Sequence, residues 1–371
     1  MEMIDDGLIQ FCSCWMMKTD CETLKFLLTK YQDFTFICEL MPFAAMFSVE
    51  ALNYLEKTQG PIGYEINSPI RLEATRMKLK QYSERYRKSL RIVNRINELE
   101  DDFYTRDVSM QFVIDNMLYD NLGIYTLPNG EIIGNTQLAS YYLRNDITRD
   151  NEIDGAECFD FGYVNGQIIG SISEGLRSIR MRLVFQEFEA EPCYQDFNTY
   201  YEFSILPNDE DGIEISLIIL NMLTHISYIN NFLAKIVPKD NLWLFKVKYI
   251  NVYYTFRSIE KLWNNIKQRK IPDRIRELML LLLDIDEEMF NSSFRSCMMH
   301  YSLKNDKKGK VCINDDKFDI GIPLFGLIET CFPGYTFETY NDKLTKMCES
   351  EEWLLKRILD LKLDNIQPLN D

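Results

Sequence analysis

The stretch Leu24 to Lys57, LKFLLTKYQDFTFICELMPFAAMFSVEALNYLEK, decides the fold. It is rich in apolar residues and holds no glycine, so it reads as core helix, with Pro42 marking a break between two helices. The texture returns late in the chain. Ile213 to Val237 runs apolar up to Pro238, and Leu242 to Lys270 runs up to Pro272. Asp273 is placed to cap Arg274 to Leu283, and a last helix is expected from about Glu338 to Leu363. With 16 glycines and 11 prolines in 371 residues, the chain lacks the turns of a sandwich, barrel or propeller. The fold class is therefore mainly α, a multi-helix bundle.

Between these runs the pattern is more varied. Gln59 to Gly63 is a turn. Ser68 as N-cap and Pro69 at the first helical position open a long charged helix to about Asp102, with Leu72, Met77, Leu79, Tyr82, Tyr86, Leu90, Val93, Ile96 and Leu99 on its apolar stripe. Val108 to Leu122 reads as a buried helix, and residues 135–143 as another. Ile124 to Gly134, IYTLPNGEIIG, fits a small β-hairpin in the N-terminal half, turning at Pro128-Asn129-Gly130. Asn145 to Gly170 is the least regular part, with a turn at Asn165-Gly166, and Ser173 to Phe188 is expected to be helical. The polar run Pro207 to Gly212 is the expected boundary between domains 1–210 and 211–371.

The formal charge of −16 favours solubility and, on average, repels nucleic acid and anionic membrane, so any nucleic-acid contact must rest on a local basic patch. The first ten residues carry Glu2, Asp5 and Asp6 and no base, unlike a secretory leader. No run of about 18 apolar residues free of charge is present, so no membrane span is expected. The ten cysteines are scattered among apolar neighbours, which points to reduced thiols in the cytoplasm. Cys12, Cys14 and Cys21 lack a second CxxC and a nearby His, and Asp154, Glu157 and Asp160 read as a solvated loop, so no metal is expected. Phosphate-binding, dinucleotide, serine-elbow and zincin motifs are absent, and no cofactor is implied.

The chemistry concentrates in Asp286 to Leu303, DEEMFNSSFRSCMMHYSL, which reads as one helix. Phe290, Phe294, Cys297, Met298 and Tyr301 fall on its inward face. Arg295 and His300 flank that face, about 140° apart at about 100° per residue. On one regular helix they do not point at each other, so cooperation requires a helix break or a second copy of the chain. Arg295-Ser-Cys-Met-Met-His300, with Ser296 as the polar second position, resembles the R-x4-H motif of the HEPN (higher-eukaryote and prokaryote nucleotide-binding) family. The resemblance covers roughly residues 213–371. It implies an all-helical domain, metal-independent RNA cleavage for toxin, defence or RNA-processing purposes, a homodimer that pairs its motifs, and an antitoxin or other regulatory partner. In that setting His300 moves a proton, Arg295 holds phosphate and Ser296 orients either group.

Two basic groups are candidate RNA contacts. The first lies on the charged helix, where Arg85, Arg87, Lys88 and Arg91 stand near Tyr82 and Tyr86. The second is Lys267, Arg269, Lys270, Arg274 and Arg276. The plainer reading of each is a solvated face among the protein's many acids. His225, in LNMLTHISYI, reads as a core histidine. The alternative for the whole chain is a non-catalytic helical interaction or nucleic-acid-binding protein, in which the R-x4-H match is accidental.

Overall fold

The computed structural model describes residues 4–60, 69–80, 82–83, 85–105, 121–144, 155–189, 191–199, 204–207, 209–284, 287–305, 310–361, 363 and 367–368. Over these residues the chain is mainly helical, with a small antiparallel sheet in the N-terminal half. The expected hairpin is present, while the proposed cap Ser68, the expected helix Val108 to Leu122 up to residue 120, and Asp154 lie outside the described residues.

Helix α1 (Asp6–Lys30) precedes α2 (Phe34–Gln59). The break falls at residues 31–33 and not at Pro42, which is buried inside α2. Asp33 decides this locally, because its carboxylate accepts the Thr35 N–H at 2.8 Å and caps α2. Helix α3 (Pro69–Met77) passes through a 3-10 turn, Lys78–Lys80, before α4 (Tyr86–Thr105). The expected single charged helix is thus two, and tertiary anchors explain the break. Buried Lys78 donates to the Tyr142 and Arg144 carbonyls at 3.1 and 2.6 Å, and buried Tyr82 meets the Asn221 amide at 2.7 Å.

Strands β1 (Leu122–Thr126) and β2 (Ile132–Asn135) form the hairpin, with Gly130 at φ 83° in its turn. β3 (Cys193–Phe197) pairs antiparallel on the other side of β1, Ile124 facing Gln195. Asn135 then caps α5 (Thr136–Leu143), accepting the Leu138 N–H at 2.7 Å. Helix α6 spans Gly155–Gly175, which corrects both the irregular segment and the Asn165-Gly166 turn expected there. Phe161, Ile168, Ile169 and Ile172 supply its buried face, and the glycines among them stand in open space where they neither help nor hinder packing. The helix expected over Ser173 to Phe188 is instead α6's last turn and an irregular segment, held by Phe185 stacking on Phe26 at 4.1 Å.

The C-terminal half continues with α7 (Gly212–Ile236, with a π turn at Ile229–Leu233) and α8 (Leu242–Ile266). Then come α9 (Asp273–Leu283), α10 (Ser292–His300), α11 (Leu327–Cys331) and α12 (Phe337–Leu359). Asp273 is the first residue of α9 and makes no capping bond. Short strands β4 (Lys304–Asn305) and β5 (Lys310–Val311) pair after α10, and β6 (Gln367–Pro368) adds to β3. α7 packs on α4, β2, α8 and α12, α1 on α8, and α2 on α10. One apolar interior therefore runs across Pro207 to Gly212. α2 and α7 are long and apolar enough to cross a membrane by length and composition, and both lie largely buried inside the protein.

Candidate functional site

The site is built on α10, which is shorter than the helix expected over Asp286 to Leu303. Asn291 starts it, its side chain accepting the Ser293 and Phe294 N–H groups at 2.9 and 3.0 Å. Tyr301 ends it in the left-handed conformation at φ 54°. Phe294, Cys297, Met298 and Tyr301 are all fully or nearly fully buried, as the helical spacing predicts, whereas Phe290 precedes the helix and is only partly buried. Below the C-terminus the Tyr301 hydroxyl donates to Asp20 at 2.5 Å, Lys246 pairs with Asp20 at 2.6 Å, and the Lys246 ammonium stands 3.9 Å from the Tyr301 ring centre. This buried triad pins the turn that presents His300.

Arg295, Ser296 and His300 all border one open cavity of about 1030 Å³. The flanks of α10 diverge as the helix geometry requires, yet both reach this space, because α2 and α3 close it from the far side. Glu50, Tyr54 and Lys57 come from α2, Arg76 from α3 and Asp6 from the start of α1. What meets His300 is a carboxylate of the same chain. Glu50 Oε2 lies 2.6 Å from His300 Nδ1 although the two residues are 250 positions apart, and Arg76 forms an ion pair with the other oxygen of Glu50.

The electrostatics favour a neutral imidazole. Burial chiefly, then Arg76, Arg295, Lys57 and Lys246, push the His300 pKa down to about 4. Glu50 pulls the other way, but its charge is already shared with Arg76. A neutral ring beside a carboxylate carries its proton on Nδ1, where Glu50 accepts it, which leaves the Nε2 lone pair for chemistry. Arg295 lies over the Tyr253 ring, 5.5 Å from its centre, and among the described residues no carboxylate pairs with it. It also borders a second cavity, of about 670 Å³. The arrangement can accept a proton at His300 and hold an anion between Arg76 and Arg295.

Glu50 and Arg76 were not singled out from the sequence. The available signal was a carboxylate in the otherwise apolar MFSVEAL run, where a buried acid demands a partner. The nine basic candidates lie elsewhere, and none lines either cavity. Arg85 just before α4 and Arg87, Lys88 and Arg91 on it are exposed, and Lys267 and Lys270 are exposed beyond α8. Arg269 is held by Asp209 at 2.5 Å, Asp211 at 2.7 Å and the Tyr86 hydroxyl at 3.1 Å. Arg274 donates to Asp360 and the Arg357 carbonyl, and Arg276 lies against the Trp263 ring. His225 is buried, with Nδ1 3.1 Å from Glu39 and 3.0 Å from the Tyr142 hydroxyl, as befits a core histidine. Cys12 and Cys21 are buried thiols pushed up to about 11 and about 12 by desolvation. Among the described residues no group of three or more His, Cys, Asp or Glu side chains is placed to hold a metal ion. Compared with known proteins, the chain matches no family model, no curated protein and no solved structure.

Proposed function

We propose that this chain is a metal-independent endoribonuclease whose active site is the cavity bordered by Arg295, Ser296 and His300. The observation that carries the reading is a neutral imidazole, oriented by Glu50, opening on a cavity that also holds Arg76 and Arg295. His300 Nε2 removes the proton of a ribose 2′-hydroxyl, and that oxygen attacks the adjacent phosphorus. The guanidinium groups take up the charge that grows on the phosphate oxygens. The P–O5′ bond breaks, and the imidazolium returns its proton to the departing 5′-oxygen. The products are a 2′,3′-cyclic phosphate and a 5′-hydroxyl. Glu50 stabilises the imidazolium while it exists. All of these groups come from one chain, so the mechanism requires no second copy. Ten cysteines without a disulfide among the described residues support a reducing compartment, and we place the protein in the cytoplasm.

Incubation of the full chain with single-stranded and structured RNA in the presence of a chelator tests the reading. Cyclic-phosphate ends are expected, and Arg295→Ala and His300→Ala each reduce the rate by about 10²- to 10⁴-fold with the fold intact. Undiminished cleavage in both variants, or no cleavage by the parent, overturns it. A second reading has its own support in the burial of Glu50 between His300 and Arg76, an arrangement that also clamps α2, α3 and α10 together. In that case the chain is a non-catalytic helical interaction protein, and His300→Ala lowers the melting temperature while no RNA is cut.

A further inference from the structure

We propose that single-stranded RNA runs from the His300 cavity across Arg295 into the neighbouring cavity, where Lys80, Arg257 and Lys261 hold its backbone. The inference rests on the ribonuclease reading and names the path that its substrate takes. Arg295 is the shared wall of the two cavities, so a phosphate held there leaves the adjoining nucleotide facing the second space. That space, of about 670 Å³, is of ligand-binding size.

Charge supports an anionic occupant. Among the described residues, Lys80, Arg257, Lys261 and Arg295 border the second cavity against one acid, Glu260, in a chain whose overall charge is −16. Arg257 pairs with Glu260 at 2.9 Å and Lys261 donates to the Ser83 carbonyl at 2.6 Å, whereas Lys80 has no carboxylate partner among the described residues. In a protein with 57 acids and 41 bases, cations left without carboxylates beside a cavity mark where the fold tolerates an incoming anion.

The remaining walls suit a strand with splayed bases. Arg257 and Arg295 both lie over the Tyr253 ring, at 5.8 and 5.5 Å from its centre, which fixes two guanidinium groups on one rigid aromatic. Asn264 and Asn265 also border the space. After their bonds to Lys267 and the Lys261 carbonyl, Asn264 keeps its amide NH₂ and Asn265 its amide oxygen for a base edge. Aromatic, guanidinium and amide groups in a concave site are the recognition set of unpaired RNA rather than of a duplex. The path differs from the exposed faces of α4 and α9, and of the basic residues on the charged stretch expected from Ser68 to Asp102 it uses only Lys80 and, in the first cavity, Arg76.

The test measures binding of a labelled ten-nucleotide single strand to the full-length His300→Ala chain across a salt series. Adding Lys80→Ala and Lys261→Ala together is expected to weaken binding at least about tenfold and to lower the salt slope by about 1.4, at about 0.7 per phosphate contact on single strands. In the catalytic background the same pair raises KM by a similar factor. Removal of the exposed Arg87 and Lys270, which do not border either cavity, serves as the comparison and leaves the slope in place. Cleavage by the parent with an unchanged slope and KM in the double variant overturns the path and leaves the active site standing. Groove-dependent binding without cleavage by the parent supports the path and overturns the ribonuclease reading. If Lys261→Ala lowers the melting temperature through its Ser83 contact, Lys80→Glu alone takes the place of the pair: weaker binding supports the path, and an unchanged slope and KM overturn it.

Discussion

His300 owes its state to what surrounds it, and its predictions follow from that. With the pKa down at about 4, the imidazole is neutral across the physiological range. On the proposed ribonuclease reading, cleavage is expected to hold level from pH 8 to about pH 5 and to fall as the pH approaches about 4, where an ordinary histidine would fail near 6.5. An initial-rate profile over this range checks it. The same shift bears on folding. The unfolded chain binds the His300 proton first, so this residue's contribution to stability falls as pH drops from about 6.5 towards 4. Urea midpoints of the parent and His300→Gln should converge or diverge only within that window. Glu50→Gln removes the carboxylate that holds the imidazole and should lower kcat by on the order of 10²-fold or more, with a smaller change in KM. Single-turnover kinetics separate these effects from a loss of RNA binding.

At the scale of the element, α10 shows how a short helix can carry a site. Its start is held by Asn291, whose amide oxygen accepts two backbone N–H groups, and its end by a left-handed Tyr301 locked onto Asp20. Asn291→Ala is expected to cost about 1 kcal/mol of stability, read from denaturant unfolding. Gly326, just before α11, sits at φ 89°, and a Cβ there would stand 2.0 Å from the Lys317 carbonyl oxygen. Gly326→Ala should therefore destabilise by more than about 1 kcal/mol, because the strained backbone and the clash with main chain add together. The element also explains a limit of helical periodicity. Spacing places Arg295 and His300 on separate flanks, but it carries no information about a cavity broad enough to reach both.

For the whole molecule, the important fact is how many buried polar bonds join the first 210 residues to the rest. Lys246 depends on Asp20, His225 on Glu39, Asn221 on Tyr82 and Gln137, and Thr224 on Asn135. Residues 211–371 expressed alone would leave these groups without partners and open the apolar faces of α7 and α8 to water. That fragment is expected to lack a cooperative thermal transition, whereas the full chain melts as one unit, and calorimetry of both decides the matter.

Local signals in the sequence determined much of this protein. Scarce glycine and long apolar runs set the helical class, Pro128-Asn129-Gly130 set the hairpin, and helical spacing set the buried face of α10, because each depends on neighbours a few residues apart. Where long-range contacts intervened, local reading failed. Lys78 and Tyr82, anchored to distant residues, split the charged helix, and the buried face of α6 hid among acids and glycines. Asp33, a local cap, moved the break that Pro42 had suggested. The candidate site was half legible: Arg295, Ser296 and His300 could be singled out in the sequence, and they border one cavity. Only the tertiary structure brought Glu50 and Arg76 across 250 and 224 positions to face His300. Burial chiefly holds the imidazole neutral, with Arg76 from a distant helix and Arg295 from within the motif adding to it, while Glu50 pulls the other way.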